Sequence, residues 1–146
     1  MYMWRPIMER GDGAWLGTTG DGQLWVGTLE AANSPVPFTN PVFLWPLLER
    51  PLAQIAGLLS EHWDEFSLAG DVSPRNLAEL IARSAVDAGR PYWVDNALGW
   101  LEAMVRDPRF GREGIVSALE RALHTEGLPQ ATRHRAQRIR RMLADE

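Results

Sequence analysis

The 146-residue chain contains no cysteine and no lysine. Without cysteine there is no disulfide framework, no thiolate metal site and no cysteine nucleophile. Without lysine there is no Schiff-base amine and no Gly-Lys-Ser/Thr phosphate loop. All fifteen basic residues are therefore arginine, a usage that, with abundant Ala, Gly and Pro, fits a GC-rich bacterial genome. No apolar run approaches the roughly 18 residues of a membrane span. The start, Met1-Tyr2-Met3-Trp4-Arg5-Pro6, lacks the charged-then-apolar order of an export signal, so a cytoplasmic protein that does not engage the membrane is expected. Also missing are a Gly-x-Ser-x-Gly elbow, a His-Glu-x-x-His pair and a dinucleotide-binding fingerprint, and no cofactor or metal is expected.

What is present is ordinary for a folded protein: 45% hydrophobic and 23% charged residues, with one domain over residues 1–146 at this length. The charge is uneven. Residues 1–126 carry 17 acidic and 10 basic groups, whereas residues 127–146 carry 5 arginines and 2 acids. An acidic body thus ends in a basic helix, within a net charge of −4.

Residues 1–45 are rich in proline and glycine and read as strand and extended loop. Ala14-Trp15-Leu16-Gly17-Thr18 and Leu24-Trp25-Val26-Gly27-Thr28 are two aromatic and β-branched segments around Gly20-Asp21-Gly22, where glycine supplies the positive φ of a tight reversal. A β-hairpin follows. The segment Asn33 to Pro41, with three prolines, is expected as an extended connection over the core. The repeated Trp-x-Gly-Thr is similar to a strand motif of β-propeller blades, but one hairpin cannot close a ring of blades.

From residue 46 the chain reads as helical. Leu52, Ile55, Leu59, Trp63 and Phe66 advance by three or four residues, one face of a helix opened by Pro51. Ser73-Pro74 caps a second helix through Leu77, Leu80, Ile81, Ser84, Ala85 and Ala88, closed by Gly89. Pro91 opens a third with Val94, Ala97, Leu98, Leu101, Met104 and Val105 on its stripe. A fourth carries Ile115, Leu119, Ala122 and Leu123, and a fifth runs from Pro129 through Thr132, Ala136, Ile139, Met142 and Leu143. The predicted fold is mainly α: a β-hairpin, then about five helices, the last four as two antiparallel pairs.

The last four helices repeat. A shift of 38 residues places Gly89 on Gly127, Pro91 on Pro129, Leu77 on Ile115, Ile81 on Leu119 and Leu101 on Ile139. The period is near the ~40-residue unit of HEAT and armadillo arrays, which residues 74–146 resemble. The resemblance implies a stack of helix pairs, with an irregular helical bundle as the other arrangement, and an N-terminal hairpin that caps the stack.

Chemistry has few candidates. His62 stands among Glu61, Asp64 and Glu65, a setting for a general base or for a solvated surface histidine. Seven tryptophans invite core or contact roles, and Trp100, beside rather than on its helix's apolar stripe, is expected to be exposed. The arginine-rich fifth helix suits an acidic partner, phosphates, or an ion-pair ladder that joins Asp95 to Arg133 and Glu102 to Arg140 across the repeat. In such stacks the second helices share a surface. Here that surface predicts a partner site at Asp95, Asn96, Trp100, Glu102 and Arg106 on one helix and Arg133, His134, Arg140 and Arg141 on the next. The expected function is a non-catalytic interaction module, whether adaptor, regulatory subunit or immunity-type inhibitor, with another protein as partner. The alternatives are a small enzyme near His62 and nucleic-acid binding through the basic helix, the latter disfavoured by net charge.

Overall fold

A hairpin built from two copies of Trp-x-Gly has a built-in register. When the copies pair antiparallel, each tryptophan faces the other's glycine. The computed structural model, which describes residues 3–144, shows this pairing between β2 (Trp15–Thr18) and β3 (Trp25–Gly27), with Trp15 opposite Gly27 and Gly17 opposite Trp25. A Cβ on Gly17 would lie 2.1 Å from the Arg5 carbonyl oxygen, and one on Gly27 2.2 Å from that of Ala31. The motif glycines thus answer to the backbone of the adjacent strands, and Gly17 also to the Trp4 ring, 2.8 Å from such a Cβ. In the reversal, Gly20 and Gly22 hold φ of 87° and 81°, and Asp21 accepts bonds from the Gln23 amide and the Trp25 indole.

The predicted hairpin is the centre of a four-stranded antiparallel sheet in sequence order, flanked by β1 (Arg5–Glu9) and β4 (Ala32–Pro35). β4 comes from the segment expected only as an extended connection. Pro35 sits on the edge strand, where a missing N–H leaves no ladder bond broken. The next segment, Val42–Glu49, is a 3-10 helix with Pro46 inside it, and it buries Leu44, Trp45, Leu47 and Leu48. Strand or loop had been expected up to residue 45. The dense apolar content of this segment wins over its prolines, because a short three-residue-per-turn helix turns its leucines and Trp45 into the core while few N–H groups are needed.

Five α-helices follow: α1 (Leu52–Phe66), α2 (Pro74–Ala88), α3 (Pro91–Val105), α4 (Arg112–His124) and α5 (Gln130–Ala144). Two of the start signals work as read, while Pro51 stands one place outside α1 as its N-cap. Pro74 and Pro91 occupy first-turn positions, and the Ser73 hydroxyl accepts from the Asn76 amide at 3.1 Å. Gly89 closes α2 in the left-handed conformation at φ 72°.

α2 packs on α3 and α4 on α5, while α2 also meets α4 and α3 meets α5. The two antiparallel pairs therefore lie side by side, with α2 and α4 in one layer and α3 and α5 in the other. Their first helices start 38 residues apart, at Pro74 and Arg112. The 3-10 helix covers α2 and α3, and α1 bridges α2 to β1 and so ties the sheet to the stack. All six predicted stripe positions of α3 are buried, as are Thr132, Ala136, Ile139 and Leu143 of α5. Two expectations shift. Trp63 is half-buried at the edge, stacked edge-on against Phe66 at 6.3 Å. On α2, Leu77, Ile81 and Ala85 of the predicted stripe are buried while Leu80 and Ser84 are half-buried and Ala88 is exposed, and Ala78, Ala82 and Val86 are buried instead, because this helix is covered on several sides.

Candidate functional site

α3 carries its apolar stripe into the stack and turns its other flank toward the end of the 3-10 helix. Between that flank and the start of α1 lies a groove of about 480 Å³. Five of the nine predicted site residues line it: Asp95, Asn96, Trp100, Glu102 and Arg106. The structure adds Glu49, Arg50 and Arg135, which were not anticipated. A signal for Arg135 existed in Gly99, a glycine inside a helix, where it costs about 0.5–1 kcal/mol relative to alanine. A Cβ there would come 3.3 Å from the Arg135 guanidinium.

Trp100 corrects the prediction of an exposed contact. It is 2% exposed, and its indole N–H donates to the Arg50 carbonyl at 2.8 Å. The 3-10 helix packs over the flank of α3 that the helical stripe alone leaves open, so Trp100 forms the floor of the groove. The rim supplies an exposed aromatic in its place. Tyr92 is 56% exposed and its hydroxyl donates to the Glu49 carboxylate. That bond, followed by partial burial and the Glu49 charge, raises the phenol's pKa above its usual value.

The other four predicted residues do not form one surface. Arg133 donates to the Thr125 carbonyl and Arg140 approaches Glu120 at 3.9 Å, both toward α4. His134 and Arg141 are exposed and share the outer face of α5 with Arg135 and Arg138. The expected ladder is also displaced. Asp95 accepts from the Thr132 hydroxyl at 2.9 Å instead of pairing with Arg133, and Glu102 meets Arg138 at 3.6 Å instead of Arg140. The reason is which flank of α5 faces which neighbour: Thr132, Arg135 and Arg138, spaced by three, look toward α3, whereas Arg133 and Arg140, seven apart, look toward α4.

The groove's charges are unequally engaged. Glu102 has Arg138, Asp95 has the Thr132 hydroxyl and Glu49 has the Tyr92 hydroxyl. Among the arginines, Arg50 donates to the Glu9 carbonyl and Arg135 to the Asp95 carbonyl, both neutral acceptors. The Arg106 side chain is exposed and makes no ion pair among the described residues. The Arg50 guanidinium lies against the Glu9 carbonyl and Gly11, whereas those of Arg106 and Arg135 keep most of their N–H donors available at the groove.

His62 lies elsewhere, at the sheet end of α1. Its Nδ1 contacts the Glu65 carboxylate, which also accepts from Arg5 at 3.0 Å. The bond to His62, with the Arg5 charge behind it, holds the Glu65 carboxyl below the usual range. The cluster fastens α1 to β1. Among the described residues no group of three or more histidines and carboxylates is placed to hold a metal ion, and no helix is long and apolar enough to cross a membrane. Comparison with protein-family models, with curated proteins and with solved structures gives no match.

Proposed function

We propose that this protein is a non-catalytic protein–protein interaction module, of the adaptor, regulatory-subunit or immunity-inhibitor kind, which meets its partner at the groove between α1 and α3 and along the adjoining edge of α5. The observation that carries the reading is the composition of that groove. Tyr92 stands exposed beside it, bonded to the lining Glu49, Trp100 forms a rigid floor, and Arg106 and Arg135 line the space between. Tyrosine, tryptophan and arginine are the residue types that dominate binding energy at interfaces, and a concave, rigidly backed site is where such anchors act. The stack supports it physically: α3 is fixed by α2, α5 and the 3-10 helix, so little ordering entropy remains to be lost on binding.

Site-directed photocrosslinking in the native host tests this reading. A photoreactive residue at Asn96, on the groove wall, should yield a discrete adduct with one protein. The same residue at Ser117, on the outer face of α4, should not. Adducts only from Ser117, or from neither position, would move the site off the groove.

A further inference from the structure

The chemistry of the occupant follows from which charges the groove leaves unengaged. We infer that the groove and the exposed face of α5 take an acidic polypeptide segment, whose carboxylates are held by Arg106 and Arg135 and whose continuation runs past Arg138 and Arg141. The inference rests on the proposed interaction function and specifies its partner. Each acid that lines the groove already accepts from a donor of this chain: Glu102 from Arg138, Asp95 from Thr132, Glu49 from Tyr92. The arginines are in the opposite state. Arg50 and Arg135 spend one N–H each on a backbone carbonyl, and Arg106 spends none on a carboxylate among the described residues. A guanidinium presents its donors as a planar fork that matches a carboxylate with two parallel bonds, about twice as strong as neutral ones. An incoming carboxylate therefore finds donors, while an incoming cation meets acids whose lone pairs are in part taken.

The basic character does not stop at the groove. Arg135 lines both the groove and the outer face of α5, and that face continues through His134, Arg138 and Arg141. The geometry is that of a strip, which suits an extended segment better than a single anion. Glu102 and its partner Arg138 sit where the groove passes into the strip, and their 3.6 Å pair is loose enough for Arg138 to be shared. Phosphate polymers would also be drawn to arginines, but the groove wall holds three carboxylates as well. Closely spaced phosphates carry fixed negative charge into contact with Glu49 and Asp95, whereas a polypeptide places its acids at chosen positions and neutral residues between them.

A displayed library of random peptides about twelve residues long, which extended reach about 40 Å, is the probe, with the full chain as bait. Enriched sequences should carry an excess of Asp and Glu. Their binding should weaken with salt and fall at least tenfold in Arg106→Glu and in Arg135→Met, the second keeping an unbranched apolar stem while removing the guanidinium. The control Arg121→Glu makes the same charge change on the outer face of α4 and should bind as wild type. Circular dichroism melts show which variants fold, and Arg135→Met decides if Arg106→Glu does not. Enrichment of neutral or basic peptides that still depend on Arg106 would overturn the acidic partner and leave the interaction module standing. No enrichment, or acidic peptides indifferent to both variants, would overturn the inference whatever the crosslinking shows. Tighter arginine-dependent binding of a single-stranded oligonucleotide, or a dimer in sedimentation that Arg106→Glu dissociates, would replace the acidic peptide by nucleic acid or by a second copy.

Discussion

Trp100→Ala removes the largest fully buried side chain from the junction of α3, the 3-10 helix and the start of α1. Large aromatic truncations of this kind cost about 3–5 kcal/mol, the transfer term plus the cavity left when the surroundings relax only in part. Trp100→Phe separates the contributions. It retains much of the ring but leaves the Arg50 carbonyl without its indole donor, a loss of about 1–3 kcal/mol. For a chain of 146 residues, unfolding entropy near 2.1 cal/mol/K per residue makes each kcal/mol worth about 3 °C in Tm. Calorimetry should therefore give a fall of roughly 10–15 °C for the alanine variant and roughly 3–9 °C for the phenylalanine variant. Hydrogen exchange should rise first in residues 48–53, whose position depends on the indole. Tyr92→Ala, at an exposed rim position, serves as the contrast and should stay within about 1 kcal/mol of wild type. A Trp100→Ala protein that melts within about 2 °C of wild type would show that the indole faces solvent. Trp100 would then return to the list of partner contacts, and the floor assigned to the groove would be wrong.

Two further perturbations follow from local geometry. Asp107, at the end of α3, accepts from the Arg109 guanidinium and from its backbone N–H, which together hold its carboxyl at about 2 against the ordinary 3.8. A depressed folded pKa means that this contact stabilises above about pH 4 and that its contribution is lost as pH falls toward 2. Carboxyl-carbon NMR titration should find the midpoint near 2, and Arg109→Gln should return it toward 3.8. A midpoint unmoved by the substitution would assign the shift to the backbone bond instead. By denaturant unfolding, Gly17→Ala should lower stability by about 1–3 kcal/mol or more, since its Cβ meets the Arg5 carbonyl, whereas Gly57→Ala, with open space around it in α1, should raise it by about 0.5–1 kcal/mol. Equal effects at the two positions would refute the close strand approach.

Much of the helical half was legible because helix punctuation and period are local properties. Pro74, Pro91, the Ser73 cap and Gly89 act within one turn of where they stand, and the α3 stripe from Val94 to Val105 needs only 3.6-residue periodicity to be recognised. The hairpin was legible for a similar reason, since Gly20, Asp21 and Gly22 specify their own reversal. The sheet around it was not. β1 and β4 are recruited by open edges of the hairpin, and β4 carries a proline that a central strand would exclude.

Periodicity tells which side of a helix is apolar but not which neighbour lies on each flank. On α5 the buried row through Thr132, Ala136, Ile139 and Leu143 could be read directly, yet its flanks carry arginines on both sides. Only the packing of α5 between α3 and α4 sends Arg135 and Arg138 to one and Arg133 and Arg140 to the other. Trp100 shows the same limit from the opposite direction. Its place beside the stripe signals exposure until the 3-10 helix, some fifty residues earlier in the chain, covers that flank and offers the Arg50 carbonyl as an acceptor. The residues that belong to helices were thus determined by nearest-neighbour chemistry along the chain. The groove, with its floor and its unengaged arginines, was decided by contacts between segments far apart in sequence, because a concavity exists only where separate elements meet.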